Sequence, residues 1–207
     1  MNDKERKDAI ARYAMRLEKF GPVVQALGWR DEVQQKLRFQ IFEECMHVDG
    51  NTSILDVGCG YGDFYDYLSV SHASLIYEGC DISPEIIRYA RKSKPNIKFQ
   101  ICDLRDNRYT GTNFDYVCIS GIFNFKILNN EEFLRETLTV AYSLCKKGVI
   151  VNMITDKVDF KDPLLHYYNP GDVIDFCSSL TKKMIMRHDY PLFEFTLGLY
   201  RSEQNWS

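Results

Sequence analysis

Hydrophobic and polar positions follow two different rhythms along the chain. Up to about residue 47, apolar residues recur at helical spacing and predict one helix over residues 4–20 and a second over residues 31–47. The segment "FGPVVQALGW" between them contains Gly and Pro but also apolar residues, so we expect an ordered connector. From Thr52 onward the pattern changes to short apolar runs, rich in β-branched and aromatic residues, that alternate with helical segments.

Seven of these later runs have the composition of β-strands. They are, in order, "TSILDV", "SLIYEGCD", "IKFQICD", "FDYVCIS", "KGVIVNMIT", "KKMIMRHDY" and "FEFTLGLYR". The helical segments between them are "DFYDYLSV", "SPEIIRYARKS", "NEEFLRETLTVAYSLC" and "NPGDVIDFCSSL". The second of these helices has a clear start signal, because Ser83 is a suitable N-cap and Pro84 suits the first turn. A tight link near Pro191 predicts that the last two strands form a hairpin.

Strands that alternate with helices predict an α/β fold, in which a parallel sheet carries helices on both faces. The hairpin requires the last strand to run antiparallel. The sequence contains no internal repeat and no linker-like tract, so we expect a single domain over residues 1–207. Within it, residues 1–50 would form a helical cap and residues 51–207 the α/β core.

Composition and charge place the chain among ordinary soluble globular proteins, since 45% of its residues are hydrophobic and 27% are charged. The formal net charge of -3 gives no basic face for a duplex, so a nucleic acid partner is not expected. The first twenty residues lack the apolar core of a signal peptide. No run approaches the roughly 18 apolar residues of a membrane span. We therefore expect a cytoplasmic protein that does not contact membranes.

The seven cysteines are an odd number with no closely spaced pair, which argues against a disulfide framework and against a zinc knuckle. Four of them end predicted strands and are expected near one another: Cys59, Cys80, Cys102 and Cys118. Nothing in their spacing requires a metal. We expect free thiols and no bound metal ion.

The stretch "ILDVGCGYGDF", residues 54–64, places three glycines at the carboxyl end of the first strand. Ligands of open α/β sheets bind at such strand ends, and glycine permits a close backbone approach. A P-loop needs Lys and Ser or Thr after its last Gly, where this chain has Asp63. A dinucleotide pyrophosphate would meet the carboxylates of Asp56 and Asp63. A ligand that carries an ammonium, a sulfonium and hydroxyls has no such conflict.

Two further acids suit that ligand. Asp81 ends the second strand, where a carboxylate can accept hydrogen bonds from both hydroxyls of a ribose; nicotinamide enzymes use the same position, so Asp81 alone does not discriminate. Asp103 ends the third strand and can accept from an adenine amine. Ile82 and Leu104 are placed to sandwich the adenine ring.

An acid before a G-x-G-x-G loop, an acid after strand two and an acid after strand three together resemble the class I S-adenosylmethionine-dependent methyltransferases. The resemblance covers residues 52–201 and implies a Rossmann-like seven-stranded sheet of order 3-2-1-4-5-7-6 with its last strand antiparallel. It implies that Asp56 and the loop backbone hold the methionine part of the cofactor, Asp81 the ribose and Asp103 the adenine. Backbone carbonyls of "SGIFNF" would take the ammonium. The implied cofactor-binding residues are Asp56, Gly58, Cys59, Gly60, Asp81, Ile82, Asp103, Leu104 and Ser120.

The sequence indicates the methyl acceptor less clearly than it indicates the cofactor. The family's adenine and amide N-methyltransferases carry Asn-Pro-Pro-aromatic after strand four, where this chain has "SGIFNFK"; this counts against nucleic acid bases and protein glutamine. Candidate catalytic residues are His188 and His166 as bases and Asn124 as a polar contact. Arg38 is placed to reach the cofactor carboxylate. The predicted walls of the substrate pocket are Tyr61, Phe123, Tyr167, Tyr168 and Tyr190.

The aromatic content and the absence of an attached recognition domain favour a small organic acceptor. Three alternatives remain: a protein or RNA methyltransferase, a non-catalytic module that binds S-adenosylmethionine, and a nicotinamide-dependent oxidoreductase. Asp63 beside the loop speaks against the last of these.

Overall fold

The computed structural model describes residues 1–106, 109 and 113–201. Its helices are α1 (Asp3–Phe20), α2 (Glu32–Glu44), α3 (Asp63–Ser69), α4 (Pro84–Ser93), α5 (Asn130–Leu144) and α6 (Pro170–Cys177), with one 3-10 turn at Leu104–Asp106. Its strands are β1 (Ser53–Val57), β2 (Ile76–Asp81), β3 (Lys98–Ile101), β4 (Phe114–Ile119), β5 (Cys145–Ile154), β6 (Lys183–Arg187) and β7 (Glu194–Tyr200). Residues 202–207, which the predicted domain includes, lie outside the described residues.

The seven strands form one sheet in the order β3-β2-β1-β4-β5-β7-β6, which confirms the predicted order. The first five strands pair in parallel, whereas β7 runs antiparallel to both β5 and β6. The register places Asp56 opposite Gly79 and Val57 opposite Cys80, so β1 and β2 end side by side. Their carboxyl ends therefore share one edge of the sheet.

Local signals explain where the helices begin. Ser83 caps α4 as predicted, since its hydroxyl accepts from the Ile86 amide, and Pro84 occupies the first position of the helix. The side chain of Asn2 and that of Glu5 form a reciprocal capping box at the start of α1.

Apolar residues are buried on both faces of the sheet, as expected for a parallel sheet covered by helices. One face packs with α5 and α6 and includes Val117, Leu138 and Leu197. The other packs with α2 and α3 and includes Phe42, Ile54 and Phe64.

The connector between α1 and α2 is ordered, with Val24 and Ala26 buried. It lies against the carboxyl edge of the sheet at two glycines. A Cβ at Gly60 would come within 2.7 Å of the Leu27 side chain, and one at Gly121 within 2.6 Å of the Trp29 ring. The connector thus lies over this edge; α1, the connector and α2 are together called the cap below.

All seven cysteines are buried. In the part of the chain that the structure describes, no group of three His, Cys, Asp or Glu side chains is arranged to hold a metal ion. None of the helices within residues 1–106 and 113–201 combines the length and apolar character of a membrane span.

Candidate active site

A cavity of about 500 Å³ lies between the carboxyl edge of the sheet and the cap. Its floor is the glycine loop with the residues that follow β2, β3 and β4. Its cap side includes Tyr13 and Arg16 of α1, Trp29 of the connector and Arg38 of α2. The segment that follows β5 closes another side through Leu164 and Leu165.

The glycine loop turns tightly because its three glycines adopt left-handed backbone angles, with φ of 76° at Gly58, 55° at Gly60 and 81° at Gly62. The loop is fixed to the neighbouring strand, since the amides of Gly58 and Cys59 both donate to the Cys80 carbonyl, at 2.7 and 3.0 Å. The glycines are therefore needed for the turn itself, which brings the loop to the cavity.

Asp56 lines this cavity and is 5% exposed. Its carboxylate accepts a 2.5 Å hydrogen bond from the Tyr77 hydroxyl of β2. Burial raises the pKa of Asp56 to about 7; the Tyr77 hydrogen bond opposes this shift. The nearby carboxylates of Asp81 and Asp63 also contribute to this raised pKa.

Asp81 and Asp63 also face the cavity. Asp81 accepts from the amide of Ser83 at 2.9 Å and from that of Gly60 at 3.4 Å. Burial raises the pKa of Asp81 to about 6 against these bonds. Asp63 accepts from the Gln35 side chain of α2 at 2.9 Å, and burial raises its pKa as well. These two carboxylates are thus held by neutral donors.

Asp103 has a different environment. Arg105 donates to both of its carboxylate oxygens, at 3.0 and 2.7 Å. Burial alone would raise the pKa of Asp103, but the hydrogen bonds and the charge of Arg105 outweigh burial and hold that pKa below its ordinary value. The acid expected to meet adenine is therefore already paired within the protein, and it retains only the part of its acceptor capacity that Arg105 does not use.

The structure brings all nine predicted cofactor-binding residues to the same cavity. Besides the three acids, the lining includes Gly58, Cys59, Gly60, Ile82, Leu104 and Ser120. The Ser120 hydroxyl is buried and has no hydrogen-bond partner among the described residues.

Arg38 takes part in a buried polar network rather than standing free. Its guanidinium forms an ion pair with Glu194, the first residue of β7, and lies over the Trp29 ring, 4.3 Å from the centroid. The Asn152 amide donates to Glu194 at 3.0 Å and its oxygen accepts from the Gly121 amide at 3.0 Å. The network joins the cap to the loop after β4.

The predicted aromatic walls lie outside the lining of this cavity. Phe123 and Tyr168 are fully buried in the core between the sheet and α5, with ring centroids 6.4 Å apart. Tyr61 lies behind the glycine loop, where it lines a second cavity of about 340 Å³ together with Tyr89.

The two remaining tyrosines make contacts within the protein. The Tyr167 hydroxyl accepts from the Asp162 amide at 2.8 Å. Tyr190 is 8% exposed and its hydroxyl bonds the Thr196 hydroxyl at 2.9 Å. The five aromatic side chains therefore make contacts within the protein and do not line the large cavity, contrary to the prediction that they form the walls of the substrate pocket.

Neither candidate histidine lines the cavity. His188 is exposed after the end of β6, and Arg187, rather than His188, binds the Asp189 carboxylate at 2.7 Å. His166 lies 3.3 Å from Glu131, and its backbone amide donates to the Asn124 carbonyl at 3.0 Å. The structure therefore gives neither histidine the position expected of a base at the reacting atoms.

Asn124, by contrast, does line the cavity, in the loop after β4. Its side-chain oxygen is buried without a hydrogen-bond partner among residues 1–106, 109 and 113–201. Of the three candidate catalytic residues, it alone reaches this space.

Sequence reasoning did not single out Tyr13, Arg16, Trp29 or Glu194, although all four line the cavity. Tyr13 and Arg16 are three residues apart on a predicted helix, a spacing that places both on one face. That spacing was the available signal for the pair. Glu194 stands at the start of a strand and carries no local signal.

The strand order with an antiparallel β7, and a glycine loop followed by acids at two more strand ends, define the class as that of the Rossmann-like methyltransferases. A family model described as "Methyltransferase domain" matches residues 54–148. A curated protein of Mycobacterium tuberculosis (strain ATCC 25618 / H37Rv) that is named as a methyltransferase is 35% identical over 156 residues, which are 70% of this chain and 90% of the relative. The chain belongs to the class I S-adenosylmethionine-dependent methyltransferase family.

Solved structures agree with this fold. The magnesium protoporphyrin IX methyltransferase of Synechocystis PCC 6803 with bound SAH (S-adenosylhomocysteine) is similar with a TM-score of 0.62 and 14% identity, over 82% of this chain and 83% of that one. A sugar N-methyltransferase of Streptoalloteichus sp ATCC 53650 is similar with a TM-score of 0.63 and 14% identity, over 80% of this chain and 86% of that one. At such identity the likeness concerns the fold.

Proposed function

We propose that this enzyme transfers the methyl group of S-adenosylmethionine to a small organic acceptor inside the capped cavity. The observation that carries the proposal is that the site is a cavity of small-molecule size with walls from three parts of the chain. A cavity of about 500 Å³, within the usual range for small-molecule sites, is bounded by the sheet edge, the cap and the segment after β5. Two similar structures are named for a porphyrin and a sugar as acceptors, which supports a small molecule.

The acids of the floor fit the cofactor's charge. In the described part of the chain, no Lys or Arg nitrogen lies within 4 Å of the carboxylates of Asp56, Asp63 or Asp81. Buried carboxylates without a cation are costly, and a ligand that carries an ammonium and a sulfonium offsets that cost. We assign Asp56 and the loop backbone to the methionine part and Asp81 to the ribose hydroxyls.

The adenine would lie where β2 and β3 end, between Ile82 and Leu104. The Asp103 oxygens retain acceptor capacity beside Arg105 and would receive the adenine amine. A carboxylate partly neutralised by an arginine suits a neutral donor of this kind.

Methyl transfer requires alignment more than acid–base chemistry, because the sulfonium already activates the methyl carbon. We assign Asn124 the role of orienting the acceptor, because it lines the cavity and its side-chain oxygen has no hydrogen-bond partner among the described residues. The oxygen can receive a hydrogen bond from an amine or hydroxyl of the acceptor, which directs that atom's lone pair toward the methyl group.

Cofactor binding is tested by calorimetry with S-adenosylmethionine, S-adenosylhomocysteine and NAD⁺. We expect the first two to bind and NAD⁺ not to bind. Asp81→Ala should weaken both, with exposed Asp175→Ala on α6 as the matched control. Unchanged binding by Asp81→Ala contradicts the ribose assignment, and binding of NAD⁺ alone favours the oxidoreductase.

The acceptor is tested by release of S-adenosylhomocysteine on incubation with a metabolite extract and, separately, with protein and RNA fractions. Release with the small-molecule fraction supports the proposal. Release only with protein or RNA points to a macromolecular acceptor. Cofactor binding without release in any fraction points to a non-catalytic module.

Asn124→Ala should lower kcat at least tenfold and leave the Kd of S-adenosylhomocysteine within about twofold, since one hydrogen bond to the acceptor is lost. Asn51→Ala, in the exposed turn before β1, is the control. A variant with unchanged kcat would remove Asn124 from the acceptor site.

A further inference from the structure

Helix α1 presents two arginines and a tyrosine toward one side of the cavity. Tyr13 and Arg16 line it directly. Arg12 lies over the Phe125 ring, 4.3 Å from its centroid, and the Tyr13 ring meets the edge of the same phenyl group, 6.1 Å away. Phe125 also lines the cavity, so this side is built from α1 and the loop after β4.

Arg16 is only partly committed to the protein. Its Nε and one Nη donate to the Gln25 carbonyl, at 3.2 and 2.7 Å, which uses two of the five N–H donors of a guanidinium. Within residues 1–106, 109 and 113–201, no carboxylate lies within 4 Å of Arg12 or Arg16. The positive charge of Arg16 thus faces the cavity without an internal counter-ion.

The Tyr13 hydroxyl lies between opposite charges. Burial raises the pKa of Tyr13, and Asp81 on the floor raises it further, whereas Arg16 and Arg12 lower it. The hydroxyl stays protonated at neutral pH and can donate a hydrogen bond into the cavity beside the Arg16 guanidinium.

Charge is therefore divided across the cavity. The floor carries the unpaired carboxylates of Asp56, Asp63 and Asp81, while α1 carries Arg16. Elsewhere in the lining, Arg30 lies 4.0 Å from the Asp31 carboxylate, and Asp162 accepts from the Leu164 amide. Arg38 contributes no free charge, since Glu194 neutralises it. A ligand set that matches this division has cationic groups at the floor and an anionic group at α1.

We propose that Arg16, with the Tyr13 hydroxyl, forms an oxyanion subsite that binds a carboxylate or phosphate of a ligand in this cavity. Guanidinium groups bind both groups through paired N–H donors. The inference rests on the proposed function, because two ligands of that reaction have suitable chemistry: the methionine carboxylate of the cofactor and an anionic group of the acceptor.

Calorimetry separates these sources. S-adenosylhomocysteine and 5′-methylthioadenosine share the adenosine, but only the first has a carboxylate. Benzoate and phenyl phosphate, titrated into protein saturated with S-adenosylhomocysteine, probe an acceptor anion. The variants are Arg16→Gln, Arg16→Lys and Tyr13→Phe. The control is Arg135→Gln, because Arg135 of α5 lies over the ring of Phe176 of α6 and does not line the cavity.

Arg16→Gln should weaken one oxyanion ligand about tenfold or more, the usual effect of losing a charge-assisted hydrogen bond, and leave 5′-methylthioadenosine unchanged. Loss confined to S-adenosylhomocysteine identifies the cofactor carboxylate, and loss confined to benzoate or phenyl phosphate identifies the acceptor. Arg16→Lys should recover part of the loss.

Tyr13→Phe keeps the Arg16 contact with Gln25 and should lose a few-fold in the same ligand, so it tests the subsite even if Arg16→Gln disturbs the cap. The proposal is overturned if all three oxyanion ligands bind these variants as they bind the parent. Failure of the parent to bind 5′-methylthioadenosine and S-adenosylhomocysteine would instead refute the proposed function.

Discussion

The hydrogen bond from Tyr77 to Asp56 makes a quantitative prediction about cofactor binding. With a pKa of about 7, roughly a tenth of Asp56 is ionised at pH 6 and nearly all of it at pH 8.5. If the cationic cofactor binds only the ionised form, its Kd at pH 6 should be about tenfold weaker than at pH 8.5.

Tyr77→Phe removes the donor that favours the Asp56 anion. A hydrogen bond to a charged group contributes about 1.5–3 kcal/mol, and about 1.4 kcal/mol corresponds to one pKa unit. The pKa of Asp56 should therefore rise by about 1–2 units, and the pH dependence of binding should move to higher pH by the same amount. At pH 7 the variant should bind about five- to fiftyfold more weakly than the parent, and the difference should shrink above pH 9.

The assay is calorimetric titration of S-adenosylhomocysteine and S-adenosylmethionine at half-unit intervals from pH 5.5 to 9.5. Asp81 also titrates in this range, with a pKa of about 6, and the variant leaves its hydrogen-bond donors, the amides of Ser83, Gly60 and Ile82, in place. Tyr65→Phe is the matched control, because the Tyr65 ring packs 5.4 Å from that of Tyr77. Parallel pH profiles in parent and Tyr77→Phe, displaced only in affinity, would refute the reasoning.

Three further outcomes follow from the same structure. Asp56→Asn should lose cofactor binding and should melt at a higher temperature than the parent at pH 8. The reason is that the folded-state pKa of Asp56 exceeds its ordinary value of 3.8, so ionisation of Asp56 lowers the stability of the parent as pH rises from about 4 through 7. Thermal melts at pH 5 and 8 measure this, and a difference in melting temperature between variant and parent that is the same at both pH values contradicts it. Gly121→Ala should destabilise the protein by about 1–2 kcal/mol, since φ is 78° there and the new methyl meets the Trp29 ring, whereas Gly50→Ala should not; denaturant unfolding compares the two. His188→Ala should leave kcat and its pH profile unchanged, because His188 is exposed outside the cavity; a loss of tenfold or more in steady-state assays would restore it as a base.

The sequence was informative wherever structure depends on near neighbours. The strand order came from the resemblance to the methyltransferase family, whereas the parallel sheet and the antiparallel β7 were predicted because strands alternate with helices and the chain closes with a hairpin. The acids at strand ends were located for the same reason, since the ends of parallel strands share an edge. These predictions required no knowledge of which helix covers which strand.

Contacts between distant parts of the chain could not be predicted in this way. Arg38 and Glu194 are 156 positions apart, and nothing local marks either as the partner of the other. Tyr168 and Phe123 were expected at a pocket, yet an aromatic side chain near a strand end has the same sequence pattern whether it faces a ligand or the core. Only the packing of α5 against the sheet decides between the two positions.

The acids in this one cavity differ in a way that indicates how the site divides its work. Asp103 and Glu194 each have an arginine partner, whereas Asp56 and Asp81 have only hydroxyl or amide donors. The fold thus neutralises some buried acids with an arginine and leaves others without one. The raised pKa of Asp56 reflects the free-energy cost of burying a carboxylate without a cation. A fold gains nothing from that cost by itself. Under the proposed function, the unpaired acids lie where the cofactor brings its positive charge, and the paired acids lie where it does not.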